Sequence, residues 1–168
     1  MIFNHLDTSF RDRLSGLYSE EYFVQVFYRE WHRMLRERDA LSVVIIHPHL
    51  NTNREEDKLA FKLVSESVKR STKRSTDLVC RFHTNEIAIG LFNLDEGGTE
   101  KVLSRIFEDI EESLKNFTYP IDLSIGALNV LPSNGAELED VFERTEKLAD
   151  AAELEGKNAY KLEYLKLH

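Results

Sequence analysis

Apolar residues along the chain alternate between helical and strand spacing. After a lead-in segment of residues 1–18, large apolar residues recur every three or four positions across 20–38, which predicts an amphipathic helix capped by Ser19. The continuous apolar run Leu41–Ile46 is typical of a strand covered on both faces. A second helix is predicted over 54–72, with Leu59 on its buried side.

The middle of the chain, residues 74–89, predicts one β-hairpin, because apolar residues alternate with polar ones on both sides of a polar turn at 83–85. After it, the pattern predicts a helix that begins near Thr99, a strand over 121–130, a helix that ends near Gly156 and a closing strand over 159–167. No linker interrupts this order, so residues 1–168 are expected to form one α/β domain.

Charge limits the classes of partner. The formal net charge of −8 repels a nucleic-acid backbone and an anionic membrane surface, so nucleic-acid binding is not expected. Positive charge is concentrated only locally, in Lys69, Arg70, Lys73, Arg74 and Arg81. This group suits a compact anion such as a nucleotide, and it equally suits a solvated helix end.

Cysteine content and apolar run length indicate the compartment. The single cysteine, Cys80, lies in an alternating apolar segment and is expected to be a buried structural thiol in a reducing environment. No apolar run approaches the roughly 20 residues of a membrane span, and the N-terminus has no secretory pattern. We therefore expect a cytoplasmic protein without membrane insertion.

Short motifs in a fixed order give the chain a family resemblance. These are Asp12-Arg13-Leu14-Ser15-Gly16-Leu17, the segment 74–82 before the hairpin turn, Ser124-Ile125-Gly126 and Gly156-Lys157-Asn158. Together they resemble the GGDEF family, the diguanylate cyclase domains that condense two GTP molecules into cyclic di-GMP. The resemblance implies a nucleotidyl-cyclase-like α+β fold, in which helices flank a central, mostly antiparallel five-stranded sheet.

The signature of that family is replaced here by His83-Thr84-Asn85-Glu86-Ile87. The resemblance implies that the two signature glycines admit the nucleotide, and His83 and Thr84 return side chains to that space. It implies a magnesium-binding carboxylate at Asn85, which offers only a neutral amide. Glu86 matches the signature glutamate, but without these neighbours we expect it to be a strand-edge residue.

Further departures affect the other positions that the resemblance implies for the active site. His47 and His49 stand where the family has an Asp-x-Asp, and imidazole is a poor substitute for the oxygen ligands of magnesium. Glu153 replaces a phosphate-binding lysine and reverses its charge. The segment after His49 is several residues shorter than in the family and has no counterpart of the guanine-reading asparagine. We therefore expect no cyclase activity and no required cofactor.

The allosteric product site of the family has matching residues. Arg74 and Asp77 form its Arg-x-x-Asp motif, and Arg105 matches its further arginine. Guanidinium groups can bind phosphate or the acceptor edge of guanine, and a carboxylate can accept from guanine N–H donors. The resemblance implies cyclic di-GMP as ligand, bound as a stacked pair that can bridge two domains. It thus predicts a cyclic di-GMP receptor that signals to an unidentified protein partner, with ligand-dependent dimerisation as a consequence.

Alternatives remain open at this level. Arg74 and Asp77 also suit an inherited surface ion pair, in a module that binds a protein partner without nucleotide. An active cyclase with a remodelled site is the least favoured function. His47, His49 and His83 are expected to be solvent-exposed loop residues, although the same three imidazoles would suit a transition metal if they met. No metal ligand is assigned from the sequence.

Overall fold

In a computed structural model, which describes residues 10–156 and 158–166, the segments with periodic apolar residues form helices and strands close to those predicted. Within this described part the elements are α1 (Glu20–Glu37), β1 (Leu41–His47), α2 (Glu55–Ser71), β2 (Leu78–Phe82), β3 (Glu86–Phe92), α3 (Glu96–Leu114), β4 (Ser124–Leu131), α4 (Leu138–Glu155) and β5 (Ala159–Lys166). Residues 1–9 of the lead-in, Lys157 of the closing motif and position 167 of the predicted last strand lie outside the described residues.

The sheet has the order β2-β3-β1-β4-β5, and the α+β prediction is confirmed. Every neighbouring pair is antiparallel except β4 and β5, which are parallel and joined through α4. The central strand β1 is covered on both faces, as its unbroken apolar run predicts. Val44 and Ile46 pack in a core with α2 and α3, whereas Val43 and Ile45 pack with α1 and α4.

Helix α4 lies unusually close to β4 at Gly126. A Cβ atom at this position would lie closer than 3.0 Å to the Thr145 carbonyl oxygen and the Ala149 nitrogen of α4. The glycine of the Ser124-Ile125-Gly126 motif is therefore required by backbone packing. Because Glu146 lies between these two contact points, the close approach also fixes its side chain beside the end of β1.

Two predicted boundaries differ from the observed ones. The strand predicted over 121–130 begins at Ser124, since the backbone N–H of Leu123 donates to the Asn158 side chain instead of a neighbouring strand. Helix α3 begins at Glu96, because the Asp95 carboxylate accepts from Gly98 N and caps the helix before Thr99. Among the described residues, no helix combines the length and apolarity needed to cross a membrane.

Candidate functional site

The hairpin turn at residues 83–85 lies at one end of the sheet, where four side chains from three segments meet. β1 and β3 pair Ile46 with Ile87, so His47 and Glu86 lie side by side at the strand ends. His47 Nε2 lies 3.1 Å from Glu86 Oε1 and 3.0 Å from Glu146 Oε2 of α4. His83, in the hairpin turn, places Nδ1 3.5 Å from Glu86 Oε2 and 3.5 Å from Glu146 Oε1. We call these residues the His–Glu cluster.

The cluster forms a ring in which each carboxylate lies between both imidazoles. Glu86 Oε2 and Glu146 Oε1 are buried, and neither accepts a hydrogen bond from the described residues. His47 keeps only 14% of its side chain exposed, whereas His83 keeps 53%. The expectation of solvent-exposed loop histidines is therefore wrong for His47, which closes β1 and turns toward α4.

Electrostatics in the cluster favour positive charge between the carboxylates. Burial alone lowers the pKa of His47, but its hydrogen bonds to Glu146 and Glu86 and their charges raise it to about 10. Burial raises the pKa of Glu86, and the neighbouring Glu146 carboxylate adds to that effect. Burial acts to raise the pKa of Glu146 as well, but its hydrogen bonds to His47 and Glu86 hold that pKa below its usual range. The two carboxylates therefore share either a proton or a neighbouring positive charge.

The hairpin turn adopts a backbone that glycine favours. His83 and Thr84 have φ angles of 46° and 67°, in the left-handed region. Asn85 accepts from both Thr52 N and Thr52 Oγ1 through its Oδ1 atom, so its amide oxygen is occupied in binding the loop after β1.

That loop is short and closed by its own hydrogen bonds. The buried Asp57 carboxylate accepts from Asn51 N and from the Tyr119 hydroxyl, and both bonds hold the pKa of Asp57 below its usual range. Leu50 is buried in the core beneath it. These contacts hold the chain compactly across this edge of the sheet between β1 and α2.

His49 and Glu153 lie at the border of this site. His49 Nε2 hydrogen-bonds Ser124 Oγ at 2.8 Å, and its Nδ1 lies 3.9 Å from Glu153 Oε1. The ring centroids of His47 and His49 are 6.2 Å apart, but the two imidazoles have different partners. The three histidines therefore do not share one set of contacts. His47 and His83 both contact Glu86 and Glu146, whereas His49 hydrogen-bonds Ser124.

Arg74, Asp77 and Arg105 lie at the opposite end of the hairpin. β3 separates the two sites, and its seven residues span roughly 20 Å. Asp77 Oδ2 accepts from Arg74 N at 2.9 Å, while Asp77 Oδ1 is buried without a hydrogen-bond donor. Arg74 Nη2 donates to the Phe92 carbonyl at 2.5 Å, and Arg105 Nη2 donates to the Ser71 carbonyl at 3.2 Å.

Charge connects these three residues. Burial raises the pKa of Asp77, and the positive charges of Arg74 and Arg105 both act against that rise. The Nε–H of Arg105 is buried and has no acceptor among the described residues. Arg81 belongs elsewhere: it donates to Asp12, Thr52 and the Thr84 carbonyl, so it cannot serve the anion site suggested by the local charge excess.

Sequence reasoning missed one member of the His–Glu cluster, Glu146. It lies 99 positions from His47 in the chain, on helix α4, where the family resemblance assigns a role only to the position of Glu153. A charged residue on an amphipathic helix gives no signal of its own. Only the close approach of α4 to Gly126 brings Glu146 to the end of the sheet.

Comparisons with known proteins agree with this architecture. The family model described as "Diguanylate cyclase, GGDEF domain" matches residues 9–159. No curated protein gives a significant sequence match. The fold is similar to the FimX GGDEF domain of Pseudomonas aeruginosa, with 20% identity, a TM-score of 0.75 and coverage of 94% of this chain and 99% of that one.

Two further solved structures share the fold. The coiled coil and GGDEF domain of DgcB from Caulobacter crescentus, in complex with c-di-GMP, has 14% identity and a TM-score of 0.80, and the match covers 96% of this chain and 90% of that one. The diguanylate cyclase SiaD of Pseudomonas aeruginosa, in complex with its activator SiaC, has 15% identity and a TM-score of 0.79, with coverage of 97% and 64%.

Proposed function

Because this chain belongs to the GGDEF family of diguanylate cyclase domains, we propose that it is a catalytically inactive member that binds cyclic di-GMP through Arg74, Asp77 and Arg105. In this proposal the ligand-bound domain signals to a protein partner. Solved GGDEF domains of similar fold include complexes with c-di-GMP, and one cyclase of this fold is complexed with an activator protein.

The observation that carries the binding proposal is the state of Asp77 and Arg105. Asp77 Oδ1 and Arg105 Nε are both buried polar atoms without a hydrogen-bond partner, and such atoms are costly unless something pairs with them. An acceptor-rich and donor-rich ligand satisfies both: a guanine N–H edge suits the carboxylate, and a phosphate or guanine acceptor suits the guanidinium. In this proposal the Arg74 side chain exchanges its hydrogen bond to the Phe92 carbonyl for a contact with the ligand.

The residues at the former active site do not fit the magnesium that the family implies. His47 Nε2 lies between two glutamates at the place of a metal carboxylate, and Asn85 Oδ1 is occupied by two donors from Thr52. Magnesium requires oxygen ligands in near-octahedral geometry. Left-handed His83 and Thr84 also place side chains over the turn where glycines would leave space.

Ligand titrations of single variants test the binding proposal. We expect Arg74→Ala and Arg105→Ala each to weaken cyclic di-GMP binding by roughly tenfold or more, because each removes a charge-assisted contact of about 1.5–3 kcal/mol. Lys73→Ala is the matched control, since Lys73 is an exposed cation next to the motif, and it should bind nearly as wild type. Unchanged affinity in both arginine variants would refute the assignment.

A turnover assay tests the inactivity. Incubation with GTP and either Mg²⁺ or Mn²⁺, followed by chromatography of the products, should give no cyclic di-GMP. Formation of cyclic di-GMP by the purified wild type, and not by a Glu86→Gln variant, would instead show a remodelled cyclase.

One observation favours a second function, a protein-binding module that needs no nucleotide. A groove of about 330 Å³ between α1 and α4 has an apolar floor that includes Val24, Phe82 and Phe142, and an acidic rim that includes Glu20 and Glu139. Such a surface suits a basic amphipathic segment. Under this alternative, a bound partner is retained by Arg74→Ala and lost by Phe142→Ala, which is the reverse of what the receptor proposal predicts for ligand-dependent partner binding.

A further inference from the structure

The His–Glu cluster resembles a coordination shell more than an ordinary ion-pair network. In a fully satisfied ion-pair network, each buried carboxylate oxygen accepts a hydrogen bond. Here two buried oxygens, Glu86 Oε2 and Glu146 Oε1, face the same His83 nitrogen at 3.5 Å without any hydrogen-bond donor among the described residues. Both carboxylates therefore direct unsatisfied negative charge at one point.

The distances between the histidine nitrogens and their nearest glutamate oxygens are close to those around a tetrahedral ion. An ion about 2.0–2.2 Å from each of four nitrogen and oxygen ligands keeps neighbouring ligand atoms roughly 3.3 Å apart. The four histidine-to-glutamate distances are 3.1, 3.0, 3.5 and 3.5 Å. Each glutamate faces His47 with one oxygen and His83 with the other, so the carboxylate groups must rotate to bring all four side chains onto one ion. The ligand atoms of His83, Glu86 and Glu146 already lie within 4.8 Å of one another.

The donor set selects the class of metal. Two imidazole nitrogens and two carboxylate oxygens are typical ligands of zinc and related first-row ions, whereas magnesium requires oxygen alone. Two ionised glutamates with neutral histidines carry a charge that one divalent ion neutralises. Asp150, one helical turn after Glu146, also lies within 4.8 Å of the His47 and Glu146 ligand atoms and supplies a further carboxylate.

We propose that His47, His83, Glu86 and Glu146 form a zinc-type metal site that replaces the magnesium site of the family. The ligands come from the end of β1, the hairpin turn, the start of β3 and the middle of α4. Four protein ligands make it a closed structural site. The ion clamps α4 onto the hairpin and holds the former active site shut, and this role does not depend on nucleotide binding at Arg74.

Zinc titration of tag-free, chelator-treated protein tests the site. We expect one Zn²⁺ per chain, and a rise in melting temperature of about 5 °C or more when free zinc exceeds the dissociation constant a hundredfold. Magnesium at millimolar concentration should neither compete with zinc nor raise the melting temperature. Cobalt in place of zinc should give the intense visible absorption of a tetrahedral Co²⁺ centre.

Variants separate coordination from general metal affinity. Glu146→Gln and His83→Ala should each weaken zinc binding at least about tenfold. Their controls are Glu143→Gln, an exposed carboxylate on the same helix, and His32→Ala, an imidazole that packs on Tyr28 of α1. Both controls should keep wild-type affinity.

The proposal is overturned if the wild type binds no zinc, or if Glu146→Gln and His83→Ala bind it as the wild type does. Circular dichroism of each variant establishes its folding before the titration. If Glu146→Gln does not fold, His83→Ala decides the outcome, because His83 lies on an exposed turn and contributes little to the core.

Discussion

At the scale of single residues, the hairpin turn places two residues other than glycine in the left-handed region, His83 and Thr84. Thr84 has φ 67°, an angle that costs a β-branched residue more than most others. The turn persists because Arg81 donates to the Thr84 carbonyl and Glu20 accepts from His83 N.

Thr84→Gly should therefore stabilise the protein by about 0.5–1 kcal/mol, because glycine adopts this angle without steric cost and the bonded carbonyl is part of the backbone. Urea unfolding measures the change. Thr84→Ala is the matched control, since it removes the side chain but keeps the Cβ atom, and it should gain less. Equal gains in both variants would show that the angle is not strained.

Asp12 explains the opening motif of the chain. Its carboxylate accepts from Ser15 N and Ser15 Oγ and pairs with Arg81 Nη1 at 3.0 Å, and Gly16 adopts φ 73° in the turn that results. Burial alone raises the pKa of Asp12, but the bonds from Ser15 and Arg81 hold it below its usual range. The motif thus ties the start of α1 to β2.

The lowered pKa of Asp12 predicts a pH-dependent variant. The stabilisation by its carboxylate is fully present above about pH 4, the unfolded value, and disappears as the pH falls through the lower folded value. Asp12→Asn should cost about 1–2 kcal/mol at pH 7, and the difference from wild type should shrink at pH 3. A difference that is constant across this range would contradict the assignment.

At the scale of elements, the contact of α4 with β4 at Gly126 positions the candidate site. Gly126→Ala should destabilise the protein by about 2 kcal/mol or more, because the added methyl group meets helix backbone that has no freedom to rotate away. Gly97→Ala is the control. Its Cβ would meet only Asp95 Oδ1 at 3.7 Å within a helix, so it should be neutral or stabilising.

Thermal unfolding of the two glycine variants measures this difference. If Gly126→Ala melts as the wild type does, α4 does not lie against β4 as described. If Gly126→Ala has a lower melting temperature and also binds zinc more weakly, the packing of α4 against Gly126 determines the position of Glu146.

Most elements could be predicted from sequence because their apolar periods are regular, and α2 shows where such reasoning fails. Leu59 was expected on its buried side but is 55% exposed, whereas Phe61 is buried. Three serines of α2 are buried instead, and hydrogen bonds satisfy their hydroxyl groups. Ser65 and Ser71 donate to backbone carbonyls one turn earlier, and Ser67 donates to Ser113 of α3. A sequence pattern that counts serine as an exposed residue therefore predicts the wrong buried face for α2.

The candidate site, too, could be predicted from the sequence only in part. Motif order located His47, His83 and Glu86, because each occupies a position that the family resemblance defines. Nothing in sequence predicted that His47 would turn inward, since this follows from strand register and from Glu146 on a distant helix. Long-range packing supplies that information, and local periodicity does not contain it.

At the scale of the whole molecule, two sites lie at opposite ends of β3 and have different consequences. Arg74 is exposed, so under the receptor proposal a stacked ligand pair beside it can contact a second copy of the domain. We predict that saturating cyclic di-GMP raises the mass measured by light scattering toward that of a dimer, and that Arg74→Ala stays monomeric. A ligand-bound wild type that remains monomeric would exclude bridging but leave single-site binding intact.

The most direct measurement of the central claim is a calorimetric titration of cyclic di-GMP into the wild type and into the double variant Arg74→Ala/Arg105→Ala. The account predicts saturable heat in the wild type and none in the double variant, because both guanidinium groups around Asp77 are then absent. No heat from the wild type at high micromolar ligand, or the same binding curve in both proteins, would contradict it.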